Sequence, residues 1–149
     1  MYLSKQGGRN RVTYFNDEIG ARVVARRLLE ADIKRGIEQK ELILFYQPRV
    51  CAQNGALASV EALVRWDHPV KGLVMPDTFI SICEETGMIE DLGQHVLEMG
   101  CRQAIEWYRT GVDLGISINI SPRQFQGHRL METLERFAAK SDFPRHKIE

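Results

Sequence analysis

Cysteine is scarce: Cys51, Cys83 and Cys101 are the three in 149 residues, widely spaced and without a CxxC pair. That spacing argues against a structural zinc site. An odd count with no secretory leader points to reduced thiols. Net charge is absent too, since 20 acidic residues balance 20 basic ones. No general electrostatic pull therefore draws the chain to a nucleic-acid polymer or a membrane, although a local site can still hold an anion. No apolar run approaches the length of a membrane span. The basic start, MYLSKQGGRNRV, has no apolar stretch behind it and does not read as a signal peptide. There is no low-complexity tract and no repeat at a solenoid period. These absences leave a cytoplasmic location as the expectation, with any membrane tether outside this chain.

What is present is ordinary for a globular protein: 44% hydrophobic and 27% charged residues, in a chain long enough to bury one core. GGRNRVTYF gives a turn and then a short strand on the Val12, Tyr14 alternation. A helix is predicted over 17–39, with Leu29, Ile33 and Ile37 on one stripe. LILFYQPRV reads as a strand that Pro48 limits. CAQNGALA is a turn centred on Asn54-Gly55, and SVEALVRW is a second strand. An Asn-Gly turn between apolar runs predicts an antiparallel hairpin. A short helix follows, with Phe79, Ile80 and Cys83 on one side, ended by Gly87.

A longer helix is predicted from Ile89 to Arg109, burying Leu92, Val96, Leu97, Ala104, Ile105 and Tyr108. Gly100 within it costs about 1 kcal/mol against Ala, a sign of close packing or of local weakness. LGISINIS is a strand with Ile116, Ile118 and Ile120 on one face. Ser121 and Pro122 then read as an N-cap and first turn. Leu130, Leu134 and Phe137 mark another amphipathic helix, and FPRHKIE approaches a further strand. From Ser59 onward this is βα alternation, the sign of an α/β fold with a parallel sheet.

Glu61 is the first anomaly, an acid inside an apolar strand. With Asn119 it forms a pair of strand-borne hard oxygen donors, suited to Mg²⁺ or Mn²⁺. Arg65 shares the strand face of Glu61 and could clamp a phosphate. The plainer alternative is a Glu61–Arg65 ion pair and an Asn119 that only hydrogen-bonds a loop. The four histidines show no metal spacing, and Trp66 and Trp107 read as core.

YQPRV at 46–50, EALVRWDHP at 61–69, MPDTFI at 75–80, EETGMI at 84–89 and INISPRQF at 118–125 occur in one order. Together they resemble the EAL-domain family of bacterial cyclic di-GMP phosphodiesterases. Residues 1–16 resemble the tail of a GGDEF domain, without its signature motif. The resemblance implies a tail at 1–16, a linker helix at 17–39 and the N-terminal portion of an EAL domain at 40–149. The implied fold is α/β, the first half of a (β/α)8 TIM-like barrel with an antiparallel first strand.

It also implies that Glu61 and Asn119 bind divalent metal, Mg²⁺ or Mn²⁺, and act in catalysis. Arg65 would contact a substrate phosphate, Gln47 a guanine end, and Leu63 the floor of the same site. The implied chemistry is metal-assisted hydrolysis of cyclic di-GMP to pGpG in second-messenger signalling. The implied partners are cyclic di-GMP and a second copy in the complete protein, with no nucleic-acid polymer. Such a barrel takes about 250 residues, and the family's later acids, lysine and second glutamine do not occur here. The 149-residue chain alone is therefore expected to be inactive. The alternative is a degenerate EAL domain that binds cyclic di-GMP as a receptor or serves as a regulatory interaction module.

Overall fold

The structure, a computed structural model, describes residues 17–126, 128–139 and 143–149. The strand predicted around Val12 and Tyr14 lies outside the described residues. Helix α1 spans Asp17–Glu38. By its internal contacts the chain divides into two compact units, with the division between Asp32 and Ile33, inside this helix. In the first unit Val23, Val24 and Leu28 are exposed. In the second, Ile33 is buried and the Arg35 guanidinium pairs with the Glu41 carboxylate just past the helix. Glu41 also accepts the indole N–H of Trp66 at 2.9 Å, which satisfies the polar edge of a buried ring.

The second unit is built on a four-stranded sheet. Strand β1 (Leu42–Val50) and strand β2 (Leu57–His68) form the antiparallel hairpin that the Asn-Gly turn predicts. Gly55 has φ 69°, and the Asn54 side-chain oxygen accepts the Ala56 N–H at 3.0 Å. Pro48 does not end β1, which continues to Val50 with a register shift after Arg49. Among the described residues β1 pairs only with β2, and an edge strand tolerates a proline. Strand β3 (Gly72–Val74) folds back on the end of β2, an addition that three residues are too few to announce by periodicity. His68 shapes that turn, its Nδ1 accepting the N–H groups of Val70 and Lys71 at 3.0 and 3.1 Å.

Strand β4 (Gly115–Ile118) runs parallel to β2, from Ser59 opposite Gly115 to Ala62 opposite Ile118. Ile148 continues the parallel order beside Ile116. The Glu149 N–H donates to the Ile116 carbonyl at 2.9 Å, and the Glu149 carbonyl accepts the Ile118 N–H at the same distance.

Among the described residues, the α-helices α2 (Ile80–Thr86), α3 (Ile89–Arg109) and α4 (Arg129–Ala139) follow the hairpin in this unit. Gly87 ends α2 in the left-handed conformation, φ 83°, where a side chain would be strained. The alternation of strand side chains sorts the sheet into two faces. Leu42, Val60, Ala62, Trp66, Ile116 and Ile118 form the buried one. Against it lie Phe79, Cys83 and the stripe of α3 from Ile89 to Ile105. Each such large apolar side chain contributes about 1.5–3 kcal/mol. Gly100 marks close packing, since a Cβ there would lie 2.6 Å from Ile118 Cδ1.

Two core expectations need correction. Trp107 is only half-buried, edge-on to Tyr46 at 4.8 Å. Tyr108 is 36% exposed and packs one ring side on Phe143. Both stand in the last turn of α3, beyond the stripe that the sheet covers.

Candidate functional site

The second face of the sheet carries the chemistry. Glu61 stands opposite Gln47 across the hairpin, Leu63 opposite Phe45 and Arg65 opposite Ile43. On the other side of β2, Glu61 pairs with Ser117 of β4. Asn119 comes two residues after Ser117, so it keeps the same facing. It does not lie inside a strand as its sequence context indicates, because β4 ends at Ile118. The residues after it enter a 3-10 turn over Pro122–Gln126, and the chain must leave the ladder to do so.

Glu61 and Asn119 meet there. The Asn119 Nδ2 amide donates to Glu61 Oε1 at 2.7 Å, across 58 residues of sequence. Glu61 is half-buried and Asn119 exposed, at the carboxyl end of a parallel strand. The alternative ion pair between Glu61 and Arg65 does not form. Four residues along a strand span about 13 Å, too far for direct contact. The Arg65 guanidinium instead donates to the Val64 carbonyl at 2.8 Å and lies 5.6 Å over the Phe45 ring. Among the described residues Arg65 makes no ion pair, so its charge is free for an incoming anion.

A cavity of about 330 Å³ opens at this rim, with Leu63, Arg65 and Asn119 in its wall. Pro76, Ile80, Leu92 and Ile120 supply apolar lining, and Glu84 and Ser121 supply polar groups. Glu61 and Gln47 stand outside that lining, and Gln47 is exposed on β1. Two hard oxygen side chains suit a small dication by type. Among the described residues no group of three His, Cys, Asp or Glu side chains could hold a metal.

Sequence reasoning missed one cluster beside it. The Ser121 hydroxyl does not cap the turn but donates to Glu84 Oε1 at 3.0 Å. The Ser121 N–H donates to Gln124 Oε1 at 3.0 Å, and the Arg123 guanidinium donates to the Glu84 carbonyl. The signal was present in the EETGMI and INISPRQF blocks, but no spacing rule brings Glu84 to Ser121 over 37 residues.

The family model of the EAL domain matches residues 30–149. The chain belongs to the EAL domain family. It is 36% identical over its whole length to the bifunctional diguanylate cyclase/cyclic di-GMP phosphodiesterase MucR of Pseudomonas aeruginosa, of which it covers 21%. It is 35% identical over 96% of its length to the cyclic di-GMP phosphodiesterase PdeR of Escherichia coli, of which it covers 22%. The solved PaMucR phosphodiesterase in complex with c-di-GMP superposes with a TM-score of 0.74 at 36% identity, over 82% of this chain and 49% of that one. The chain thus spans about a fifth of these relatives and about half of that solved EAL structure. The open sheet with its antiparallel first strand is a partial α/β barrel of the EAL type.

Proposed function

We propose that this EAL chain supplies the first metal-binding pair and the phosphate clamp of a cyclic di-GMP phosphodiesterase. The observation that carries the reading is the 2.7 Å meeting of Glu61 and Asn119, with Arg65, which makes no ion pair among the described residues, in the same cavity wall as Asn119. Glu61 offers a carboxylate oxygen. Asn119 offers its amide oxygen once the amide turns over, giving up its hydrogen bond to Glu61 as the cation takes a place between the two oxygens. Together they would hold Mg²⁺ or Mn²⁺, which when bound supplies Lewis-acid assistance and lowers the pKa of water. Arg65 binds and orients the phosphodiester through its guanidinium fork. Leu63 and the apolar wall keep water from the far side of the cavity. Gln47, exposed on the same sheet face, offers donor and acceptor groups to a base edge. The relatives support the substrate, since MucR and PdeR are named for cyclic di-GMP hydrolysis.

The test is Mg²⁺-dependent conversion of cyclic di-GMP to pGpG by the complete protein. Glu61→Ala is expected to lower the rate by 100-fold or more, about 2.7 kcal/mol of barrier, with its circular dichroism unchanged. A rate equal to the wild type would remove Glu61 from the chemistry.

A further inference from the structure

Asn119 stands at the least supported point of its segment. The ladder ends one residue before it, where the Ile118 N–H makes the last strand bond, to Glu149. Its side chain is exposed. Yet the amide must face Glu61 closely if the two are to share an ion. The restraint comes from the far side, at Ser121.

That residue is tied in three ways. Its hydroxyl donates to Glu84 on α2 at 3.0 Å, its N–H donates to Gln124 Oε1 at 3.0 Å, and its carbonyl accepts the Gln124 N–H at 2.9 Å. Arg123 adds a bond to the Glu84 carbonyl, so the side chains of Ser121 and Arg123 both tie the post-β4 turn to Glu84 of α2. The Gln124 amide lies against Gly93 of α3, at the place a Cβ would occupy. A glycine at 93 leaves room for that amide. Among the described residues neither the Glu84 nor the Gln124 side chain bonds Glu61 or Asn119. What they fix is the backbone two residues beyond Asn119.

We propose that Glu84 is a positioning residue for the metal site, acting through Ser121 to hold Asn119 against Glu61. The proposal rests on the reading of Glu61 and Asn119 as a metal-binding pair. Glu84 works through Oε1 as the hydrogen-bond acceptor of the Ser121 hydroxyl, a role that an uncharged amide oxygen can also fill. Glu84→Gln keeps an acceptor for the Ser121 hydroxyl, Glu84→Ala removes it, and Ser121→Ala removes the donor. Partners that orient metal ligands typically change affinity by about 10- to 100-fold. An effect relayed through backbone belongs at the lower end.

The experiment titrates the complete protein with Mn²⁺ alone and reads free Mn²⁺ by electron paramagnetic resonance, with the thermal midpoint recorded for each variant. Glu84→Ala and Ser121→Ala are each expected to weaken Mn²⁺ binding about tenfold, and the double variant no further. Glu84→Gln is expected to bind as the wild type does. If Glu84→Ala fails to fold, Ser121→Ala against wild type decides the matter. Affinity unchanged in Ser121→Ala, or lost in Glu84→Gln as fully as in Glu84→Ala, overturns the positioning role. Glu61→Ala separates the two readings. If it binds Mn²⁺ like the wild type, or the wild type binds none, the metal pair itself fails and this proposal falls with it. If only Glu61→Ala loses binding, the metal pair stands and the positioning role alone is overturned.

Discussion

Asn119 and Glu61 show what a single residue's sequence context discloses and what it withholds. An acid inside an apolar strand is visible in the sequence, and so is its common facing with Arg65. Asn119 is legible as a partner by residue type, but their direct contact at 2.7 Å is not, because Asn119 arrives from just past the end of another strand, 58 residues away. Period-two alternation says which face a side chain takes, but not the distance along it, so the Glu61–Arg65 pair looked feasible and is not formed. Gly100 is a second residue whose meaning depends on a neighbour. Gly100→Ala gains about 1 kcal/mol of helix propensity. Against that stands overpacking of about 1–3 kcal/mol, since the new Cβ would meet the buried Ile118 at 2.6 Å. We expect a net loss of roughly 1 kcal/mol, read as a lower thermal midpoint. An unchanged or higher midpoint would show that Ile118 yields freely. The cysteines give a third case. Burial pushes the Cys83 and Cys101 thiols up to about 11. Both should resist a thiol reagent in the native protein, while half-buried Cys51 reacts. Equal labelling of all three without denaturant would contradict the packing.

At the scale of elements, the boundaries of α3 were legible because an apolar stripe runs unbroken between two glycines. The hairpin was legible because Asn54-Gly55 sits between two apolar runs. Strand β3 and the 3-10 turn after Asn119 were not, since each is too short to complete a period. The junction of α3 and α4 is a polar clamp that periodicity could not show either. Arg136 hydrogen-bonds Glu98 at 2.5 Å, and Gln94 bridges Glu98 and Thr133 at 3.0 and 2.6 Å. The Arg136 bond, followed by that of Gln94, holds the Glu98 carboxyl below its usual range. A carboxyl depressed in the folded state stabilises above its unfolded pKa and loses that contribution as pH falls through the folded value. Glu98→Gln should therefore lower the thermal midpoint at neutral pH, and the gap to wild type should shrink as the solution is acidified through the carboxylate range. A gap that stays constant or widens in acid would show that the clamp acts by shape alone.

At the scale of the whole molecule, the fold class was legible from βα alternation and the hairpin, but the closure of a sheet is not a property of any one segment. Phe45, Val50 and Leu57 are exposed on the sheet's hairpin, and Phe125 and Met131 near α4. An apolar cavity of about 270 Å³ lies among Ile105, Leu134, Phe137, Phe143 and Ile148. Such surface favours association. The isolated 149-residue chain should elute from a sizing column as dimers or larger species. A monodisperse monomer with a sharp reversible melt would contradict that expectation.

The central claim is that Glu61 and Asn119, delivered by two strands to one rim, hold one divalent ion between them. The most direct measurement is an anomalous-difference map from crystals of the complete protein grown with Mn²⁺. The account requires a peak within coordination distance of both Glu61 Oε1 and Asn119 Oδ1. A map with Mn²⁺ bound elsewhere and this pair still joined only by its hydrogen bond would contradict it.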